Sequence, residues 1–403
     1  MRTGTHRGGR WLAGGWAVAV GLAATLMAGP AQAAQAPFTD SAVAWTGHTA
    51  VVAAVNNAGN LDYYYQYYQQ DGSTAWNQEV VAKCCYNNSA PSIAQTGDTV
   101  SIAESGEGGQ VDYYYQYDGI CLIRSLCPPG WHKQVVATAP RGTYYGPATI
   151  SWTGSTVIIA ADHALAGGSG APTVLDYWWE VAGTRAWHEE QVATGVGYNG
   201  PARPSIGWTG STAIITDTDA HGNLDYWYQD AGTRSWHQQQ VAPAGSLGNN
   251  GGGFWSYPVI SWTGSTVIIA ATNEDGDLDY WYQDAGTSPW HQQQVAGTAS
   301  VDIGGPAIAW TGSSVVLAGV RQVSENTSLN FWVQAAGTRP WHYEHVATLS
   351  QAGEDFPPSM AAAGDSVVIT DSDGSDNPVG GNLDYWWKRV GTTDWHQQQV
   401  AGG

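Results

Sequence analysis

The chain has few charged residues, and cations are especially scarce. Only 12% of its 403 residues are Asp, Glu, Lys or Arg, and 14 Lys and Arg stand against 34 acids, for a net charge of −20. A surface of this sign repels the phosphates of nucleic acids and of anionic membranes, so neither is expected as a partner. After the N-terminal segment no apolar run reaches the ~20 residues that cross a bilayer, and we expect no membrane insertion.

The N-terminal segment has the composition of a secretory signal peptide. Three arginines precede an apolar stretch from Trp11 to Met27, and small-residue cleavage sites end at Ala33 and Ala36. This order of basic, apolar and small residues is typical of a secretion signal. The sequence therefore predicts a signal peptide over residues 1–36 and a secreted, extracellular protein.

The rest of the chain repeats one pattern seven times. An apolar stretch ends in Trp-Thr-Gly, and a Val/Ile run, a Leu-Asp-Tyr-Trp segment and a Trp-His-Gln-Gln-Gln-Val-Ala segment follow. The anchors of the pattern are Trp45, Trp152, Trp208, Trp262 and Trp310, with degenerate copies at Gln95 and Ala362. The mean period of about 53 residues indicates a propeller or a solenoid.

Each repeat reads as four β-strands. Val267 to Ala271 is an unbroken apolar run, and Leu278 to Gln283 alternates aromatic or branched residues with polar ones. Strands that are apolar on both faces fit small sheets stacked between two neighbours. We predict an all-β fold, a seven-bladed β-propeller of four-stranded antiparallel blades over 37–403, with repeats starting near 38, 89, 146, 202, 256, 304 and 356. Ring closure by blade packing or by a shared strand stays open.

The Asp of Leu-Asp-Tyr and the His of Trp-His recur with the blade period. Five repeats keep both residues, and two drift to Asp62/Asn77 and Asn330/His342. Because a catalytic site needs one such pair, we interpret the five as structural hydrogen bonds between the third and fourth strands, with metal ligation as the alternative. The pairs are Asp112 with His132, Asp176 with His188, Asp225 with His237, Asp279 with His291 and Asp384 with His396.

Residues that differ between repeats are the candidates for ligand binding. In a four-stranded blade, the loops between blades and the loops joining strands two and three share one face. There the sequence places aromatic rings beside amides and acids, which is what a neutral sugar needs; the alternative is that they only plug the funnel or cap blade ends. The candidates are Tyr86, Asn87, Tyr145, Tyr198, Asn199, Trp255, Tyr257, Asp217, Asp219, Asp275 and Asp277.

One acidic loop is a candidate cation site. Asp371, Asp373 and Asp376 supply three carboxylates within six residues, and a glycine between them allows a turn. Oxygen-rich loops of this kind bind calcium, although the distal bidentate Glu of a full calcium loop is missing. Calcium is therefore a candidate ligand, with a solvated acidic turn as the alternative, and no other cofactor is expected.

All four cysteines fall in the first two repeats. Cys84 and Cys85 lie in an inter-blade loop, and Cys121 and Cys127 lie in an insertion on the opposite face. Bridged Cα atoms must lie within about 7 Å, so a crossing between the faces is disfavoured. We predict Cys84–Cys85 and Cys121–Cys127 disulfides, which an exported protein can form; free thiols at Cys84 and Cys85 are the alternative.

The repeat resembles that of a known family. The segment from Gly276 to Trp281, followed by a glycine-containing turn and Trp290-His291, is similar to the repeat of bacterial seven-bladed propeller lectins of the fucose-binding PLL type. The resemblance extends from Phe38 to the C-terminus and implies sugar binding between blades, but no ligand residue aligns. The secreted, acidic layout is also similar to the propeller lectin subunits of umbrella-shaped toxin particles.

A lectin is the function that these patterns favour. The innermost strand segments, such as Ala42 to Trp45 and Val259 to Trp262, contain no Asp, Glu, Lys or His, so a propeller glycoside hydrolase or lyase is disfavoured and no enzymatic activity is expected. We predict a secreted, multivalent protein that binds neutral glycans of a cell surface or cell wall. The alternative is a propeller subunit that docks another secreted chain.

Overall fold

A computed structural model describes residues 38–402 with short gaps. Not described are 57, 70–72, 84–89, 98, 107, 117–129, 165–172, 182–183, 185, 198–202, 230–232, 244–246, 248–256, 274, 285–288, 298–302, 324–325, 350–356 and 373–380. The described residues belong to the second of two units, Ala34–Gly403. The predicted signal peptide and all four cysteines lie outside them, so the signal peptide and both disulfides stay predictions.

Seven four-stranded antiparallel sheets make up the described chain, each from four consecutive strands. Blade 1 contains β1 (Phe38–Trp45), β2 (Ala50–Asn56), β3 (Asn60–Tyr68) and β4 (Thr74–Lys83). Blade 2 contains β5 (Ser92–Thr96), β6 (Thr99–Gly106), β7 (Gln110–Gln116) and β8 (Trp131–Thr138). Blade 3 contains β9 (Thr149–Trp152), β10 (Thr156–Ala164), β11 (Thr173–Val181) and β12 (Trp187–Val196). Blade 4 contains β13 (Ser205–Trp208), β14 (Ala213–Thr218), β15 (Leu224–Gln229) and β16 (Trp236–Ala242).

The last three blades repeat this order. Blade 5 contains β17 (Val259–Trp262), β18 (Thr266–Thr272), β19 (Leu278–Asp284) and β20 (His291–Ala296). Blade 6 contains β21 (Ile303–Trp310), β22 (Ser314–Val323), β23 (Asn326–Ala335) and β24 (His342–Leu349). Blade 7 contains β25 (Ser359–Ala363), β26 (Ser366–Ser372), β27 (Leu383–Arg389) and β28 (His396–Ala401). The predicted seven-bladed propeller is confirmed, and no described residue lies in a helix that could cross a membrane.

The second strand of each blade lies at the centre of the packing. All seven residues of β2 are buried, and six of the seven in β18 are. Such strands are apolar on both faces because each sheet is covered by a blade on either side. The turn that precedes the strand is also encoded: Gly264 adopts a φ of 97°, which favours glycine, and Thr263 Oγ1 accepts a hydrogen bond from the Thr266 amide at 3.0 Å.

A tryptophan from each fourth strand, or from just before it, joins its blade to the preceding one. Its ring packs edge-on against the tyrosine or phenylalanine of the preceding third strand, and centroid distances are 5.0–5.3 Å. The pairs are Tyr63–Trp131, Tyr113–Trp187, Tyr177–Trp236, Tyr226–Trp290, Tyr280–Trp341, Phe331–Trp395 and Tyr385–Trp76. The last pair joins blade 7 to blade 1, so within the described part of the chain side-chain packing closes the ring without a shared strand.

The predicted hydrogen bonds between the third-strand Asp and the fourth-strand His are wrong. In blade 5, Asp279 lies opposite Gln294, whereas His291 lies opposite Tyr282 and stacks on its ring at 5.0 Å. Residues three apart on a strand point to opposite faces of the sheet, so Asp279 and His291 cannot meet.

The prediction is wrong for His132 of blade 2 for the same reason. His132 lies opposite Tyr115, and the centroids of the two rings are 5.4 Å apart. Its predicted partner, Asp112, lies opposite Val135. The two side chains therefore point to opposite faces of the blade, and His132 contacts a tyrosine ring instead of Asp112.

The prediction is also wrong for His237 of blade 4. His237 lies opposite Tyr228 and stacks on its ring, with centroids 5.2 Å apart. Its predicted partner, Asp225, lies opposite Gln240. Because Asp225 and Tyr228 are three residues apart on one strand, Asp225 and His237 are on opposite faces.

The prediction is also wrong for the histidines of blades 3 and 7. His188 stacks on Trp179 at 5.1 Å, and His396 stacks on Trp387 at 5.2 Å. Their predicted partners, Asp176 and Asp384, again lie three positions away from these aromatic residues on the third strand. In all five blades the histidine therefore extends a stack of aromatic rings on one face, and the aspartate belongs to the other face.

These aspartates have other partners, and most of those partners come from their own blade. Asp225 accepts from Gln238 Nε2 at 2.9 Å, and Asp279 accepts from Asn273 Nδ2 at 3.2 Å. Burial raises the pKa of both carboxyls, to about 6 for Asp225. In blade 2 the partner is a cation. Lys133 Nζ lies 2.6 Å from Asp112 Oδ2, so the two side chains form an ion pair.

The innermost strand of blade 1 is longer than predicted. It begins at Phe38 rather than near Ala42, and it therefore includes Asp40, whose side chain is buried. The expectation that the innermost strands carry no titratable group is thus wrong for this blade. The other innermost strands, as the structure bounds them, carry none.

Candidate functional site

Five of the predicted ligand residues lie outside the described residues. They are Tyr86, Asn87, Tyr198, Asn199 and Trp255. Tyr257 is described, and it is half-buried at the rim of a pocket on the propeller axis.

Tyr145 and Asp217 are buried and present no surface to a ligand. The Tyr145 ring lies edge-on to Trp178 and His163, with centroids 5.3 and 5.1 Å away, so it is a core residue of blade 3. Asp217 is 0% exposed and lies opposite Asp225 in the sheet. Its burial, together with the charge of Asp225, raises the pKa of Asp217 to about 8. The prediction that Tyr145 and Asp217 bind sugar is therefore wrong.

Asp219 and Asp277 hold their own loops. Asp219 accepts from the backbone amides of His221 and Asn223 at 2.8 and 2.9 Å. Burial opposes ionisation of Asp219, but these hydrogen bonds outweigh it and leave its pKa below the ordinary value. Asp277 accepts from Gln294 Nε2 at 2.8 Å. Asp275 is exposed. This face therefore has ordered acidic loops, and Tyr144, next to the buried Tyr145, presents a ring there that is 59% exposed.

Of the three carboxylates of the predicted calcium loop, Asp371 is the one that the structure describes. Asp371 is buried, and its Oδ1 accepts from the Ser372 amide at 2.8 Å. Asp373 and Asp376 lie outside the described residues, so calcium binding stays a prediction. Within the described residues, no three His, Cys, Asp or Glu side chains are grouped so that they could hold a metal ion.

Two open clefts lie between blades on the opposite face, beside the Thr-Gly turns. Each cleft is numbered after the earlier of its two blades. The first cleft lies between blades 1 and 2 and has a volume of about 400 Å³. The third cleft lies between blades 3 and 4 and has a volume of about 480 Å³. The first is lined by Thr46, Tyr65, Glu79, Gln95 and Gln116 among others. The third is lined by Trp179, Glu190, Trp208, Gln229 and Arg234 among others.

A carboxylate lies in the wall of the first cleft. Glu79 Oε2 accepts from Gln116 Nε2 at 3.2 Å and from Trp131 Nε1 at 3.1 Å, both on the neighbouring blade. Beside it Tyr65 stacks on Tyr63 with centroids 5.7 Å apart, and the Tyr65 ring is partly exposed. The cleft therefore combines an aromatic face with a carboxylate whose orientation is fixed by two donors.

The third cleft repeats this arrangement with a larger ring. Glu190 Oε2 accepts from Gln229 Nε2 at 3.2 Å. Trp179 stacks on Tyr177 and on His188, with ring centroids 5.6 and 5.1 Å apart, and the guanidinium carbon of Arg234 lies 5.3 Å from its centroid. An indole ring held on several sides loses little conformational entropy when a ligand packs on it.

Among the described residues, the other inter-blade interfaces lack this combination. At the position of Glu79 and Glu190, four blades have an uncharged amide: Gln134, Gln239, Gln293 and Gln398. Blade 6 has Glu344, but the buried Lys388 of blade 7 donates to it. At the position of Tyr65 and Trp179, blade 6 has Val333, which offers no aromatic ring. Neither Glu79 nor Glu190 has an ion-pair partner in the described part of the chain. Their carboxylates are therefore the ones left to accept from a ligand.

The clefts were not predictable from the variable loops, because their rings and carboxylates lie on the repeated third and fourth strands. Glu79 and Glu190 stand at a fixed position of the repeat, two residues after the Trp-His position, where the usual residue is Gln. A Gln-to-Glu change at one repeat position was the available signal. It becomes meaningful only when the neighbouring blade supplies the opposite wall.

The seven four-stranded sheets define the protein as a seven-bladed propeller with open clefts between blades. One similar solved structure is the BP39L lectin from Burkholderia pseudomallei, with a TM-score of 0.66, 14% identity, and 90% of this chain and 100% of that chain covered. Another is the fucose-specific lectin from Aleuria aurantia, with a TM-score of 0.50, 12% identity, and 77% and 96% covered. No family model matches the chain, and no curated protein sequence does either. At such identities the similarity shows the fold.

Proposed function

We propose that the protein is a secreted lectin that binds neutral glycans in the first and third clefts. The observation that carries the proposal is the pairing of a partly exposed aromatic ring with a carboxylate that has no ion-pair partner among the described residues, Tyr65 with Glu79 and Trp179 with Glu190. The structurally similar proteins named above are lectins, which supports the same class of function. The N-terminal segment supports secretion.

Each part of the cleft matches one property of a sugar. The apolar C–H face of a pyranose packs on Tyr65 or Trp179, and its hydroxyls donate to Glu79 or Glu190, since a bond to a charged acceptor is stronger than one to an amide. The amides of Gln116 and Gln229 can donate to ring or hydroxyl oxygens. Because the ligand carries no charge, we expect weak sites of about −4 to −5 kcal/mol that change little with salt.

The chemistry of the clefts supports binding without hydrolysis. Glycoside hydrolases use two carboxyl groups about 5 to 10 Å apart, one on each side of the scissile bond. Among the described residues that line each cleft, there is one carboxylate, Glu79 or Glu190. Two clefts on one ring instead favour bivalent attachment to a glycan-coated surface, where the second contact gains from a high effective concentration.

A glycan array followed by titration calorimetry tests the proposal. Glu79→Gln and Glu190→Gln each place the residue of the other blades in one cleft, so the fold should be retained. We expect each variant to lose one class of site at unchanged melting temperature, and the double variant to lose both. Wild-type protein that binds no glycan, or a double variant that binds like wild type, would refute the lectin proposal.

A matched pair of aromatic substitutions tests the position of the site. Trp179→Ala removes the ring of the third cleft, and Tyr282→Ala removes the corresponding ring of blade 5, whose interface has Gln293 in place of a carboxylate. We expect the first change to abolish binding in the third cleft and the second to leave binding unchanged. Equal losses would assign the effect to general destabilisation of the propeller.

A further inference from the structure

A separate pocket lies on the propeller axis, at the end where the innermost strands begin. Its volume is about 220 Å³, and prolines ring it because a residue without an N–H suits the start of a strand whose inner edge has no partner. The prolines are Pro91, Pro204, Pro258, Pro306, Pro357 and Pro358. Arg203 is the one charged side chain among the described residues that line the pocket.

Arg203 reaches from blade 4 to an acid of blade 1. Its Nη1 lies 3.5 Å from Oδ2 of Asp40, the outer limit of a hydrogen bond, and its side chain stays 18% exposed. Asp40 is 1% exposed, and its Oδ1 accepts from the Ser41 amide at 2.7 Å. A guanidinium has five N–H donors in a planar fork that fits a carboxylate with two bonds. One contact at this distance uses little of that capacity.

We propose that the axial pocket binds a small carboxylate, whose oxygens take the place of Asp40 on the guanidinium of Arg203. The pocket has room for a small ligand, whose atoms other than the carboxylate group pack against the proline rings. Neutral sugars would gain nothing there, so this site is distinct in ligand chemistry from the inter-blade clefts. If no carboxylate binds in the axial pocket, the proposed lectin function is unaffected.

Protonation of Asp40 controls access of the ligand to Arg203. Burial raises the pKa of Asp40 to about 6, against the opposing effect of Arg203 and of the Ser41 amide. The strands packed against β1 are β2, β5, β25 and β26; of these only β26 carries a charged residue, Asp371, and no charged residue besides Arg203 lines the pocket among the residues that the structure describes. Below pH 6 Asp40 becomes neutral and Arg203 loses its competing anion.

The size of the pH effect follows from the fraction of protein in the competent state. With a pKa of about 6, neutral Asp40 rises from about 3% at pH 7.5 to about 76% at pH 5.5. The apparent affinity for a carboxylate that stays ionised over this range should rise about 25-fold. Acylated amino acids and uronic acids meet that condition because their carboxyl groups ionise below pH 4.

Titration calorimetry with matched probes tests the proposal. N-acetylglycine and glucuronate are compared with N-acetylglycinamide and glucose at pH 5.5 and 7.5 and constant ionic strength. We expect carboxylates to bind more tightly at pH 5.5 and the neutral analogues not to respond to pH. Binding of one carboxylate alone would support the site and identify its source as peptide-like or sugar-like. Absence of carboxylate binding at pH 5.5 would overturn the proposal.

Two variants and one control separate the site from general effects of pH. Asp40→Asn mimics the neutral acid, so it should bind at pH 7.5 as tightly as at pH 5.5. Arg203→Gln should remove binding at both values. Asp62→Asn changes another buried acid of blade 1, which accepts from Asn56, and should keep the wild-type response. An Asp40→Asn protein that keeps the wild-type difference between the two pH values would overturn the mechanism even if Arg203→Gln does not fold.

Discussion

Trp76 of blade 1 packs edge-on against Tyr385 of blade 7, with ring centroids 5.2 Å apart. The two residues are far apart in the chain, and they meet as the equivalent pairs do at the other six interfaces. The closing interface therefore relies on the same side-chain packing as the rest of the ring. No strand is exchanged between the first and last blades within the described chain.

Removal of this contact should destabilise the whole ring. For Trp76→Ala we expect a loss of about 3 kcal/mol in the free energy of unfolding, the low end for a buried tryptophan, because the side chain is only half-buried. Urea denaturation measures the loss. Tyr68→Ala, at a residue of the same blade that is 75% exposed, is the control and should change stability little. Equal effects of the two changes would argue against closure by packing.

The paired acids of blade 4 should make stability depend on pH. The pKa of Asp217 is about 8 in the folded protein against an ordinary value of 3.8, so the folded chain keeps a proton that the unfolded chain loses. Its contribution is fully present below pH 3.8 and is lost as pH rises towards 8, by up to about 1.4 kcal/mol per pH unit. Asp217→Asn should reduce this decline in unfolding free energy measured between pH 5 and 8. The exposed Asp275→Asn should leave it unchanged.

The revised partners of the repeat aspartates give a third prediction. Asp279→Ala leaves Asn273 without its acceptor, and Asn273 Oδ1 also holds the amides of Asp275 and Asp277 at 2.9 and 3.0 Å. We expect a loss of about 1–3 kcal/mol on thermal or urea unfolding. His291→Ala should cost less than about 1 kcal/mol because its ring stacks on the surface of the blade. Similar losses in the two single variants, together with a double variant that loses much less than their sum, would instead indicate a direct interaction between Asp279 and His291.

The ion pair between blades 6 and 7 gives a fourth prediction. Lys388 is 1% exposed, donates to Glu344, and lies over the rings of Phe331 and Trp395 at 5.5 and 5.3 Å. Glu344→Gln alone leaves this cation without a counter-charge and should cost about 3 kcal/mol.

The matched double variant tests the cause of that loss. Glu344→Gln combined with Lys388→Gln recreates the Gln283–Gln239 pair of blades 5 and 4, which lies at 3.1 Å. We expect its stability to return to within about 1 kcal/mol of wild type in chemical denaturation. A double variant less stable than the single one would show that packing of the lysine stem, not its charge, holds the interface.

Blade number and strand order were predictable because residues close together in the sequence determine both. Each Val/Ile run, each Leu-Asp-Tyr segment and each Thr-Gly turn specifies a strand or a turn from neighbouring residues, and seven copies fix the number of blades. The partners of Asp279 and of His132 and His237 were not predictable in the same way. They depend on strand register, which in blade 5 includes an irregularity at Leu278/Asp279 that shifts the alignment of the fourth strand.

The sequence by itself determined the propeller, since the repeated pattern leaves every blade with two apolar faces that only neighbouring blades can cover. Tertiary structure alone decided which residues share a site. Glu79 and Gln116 come from different repeats, and Asp40 and Arg203 lie 163 positions apart. Such pairs form because the ring brings the edges and ends of different blades together, and no local pattern records the distance between two blades.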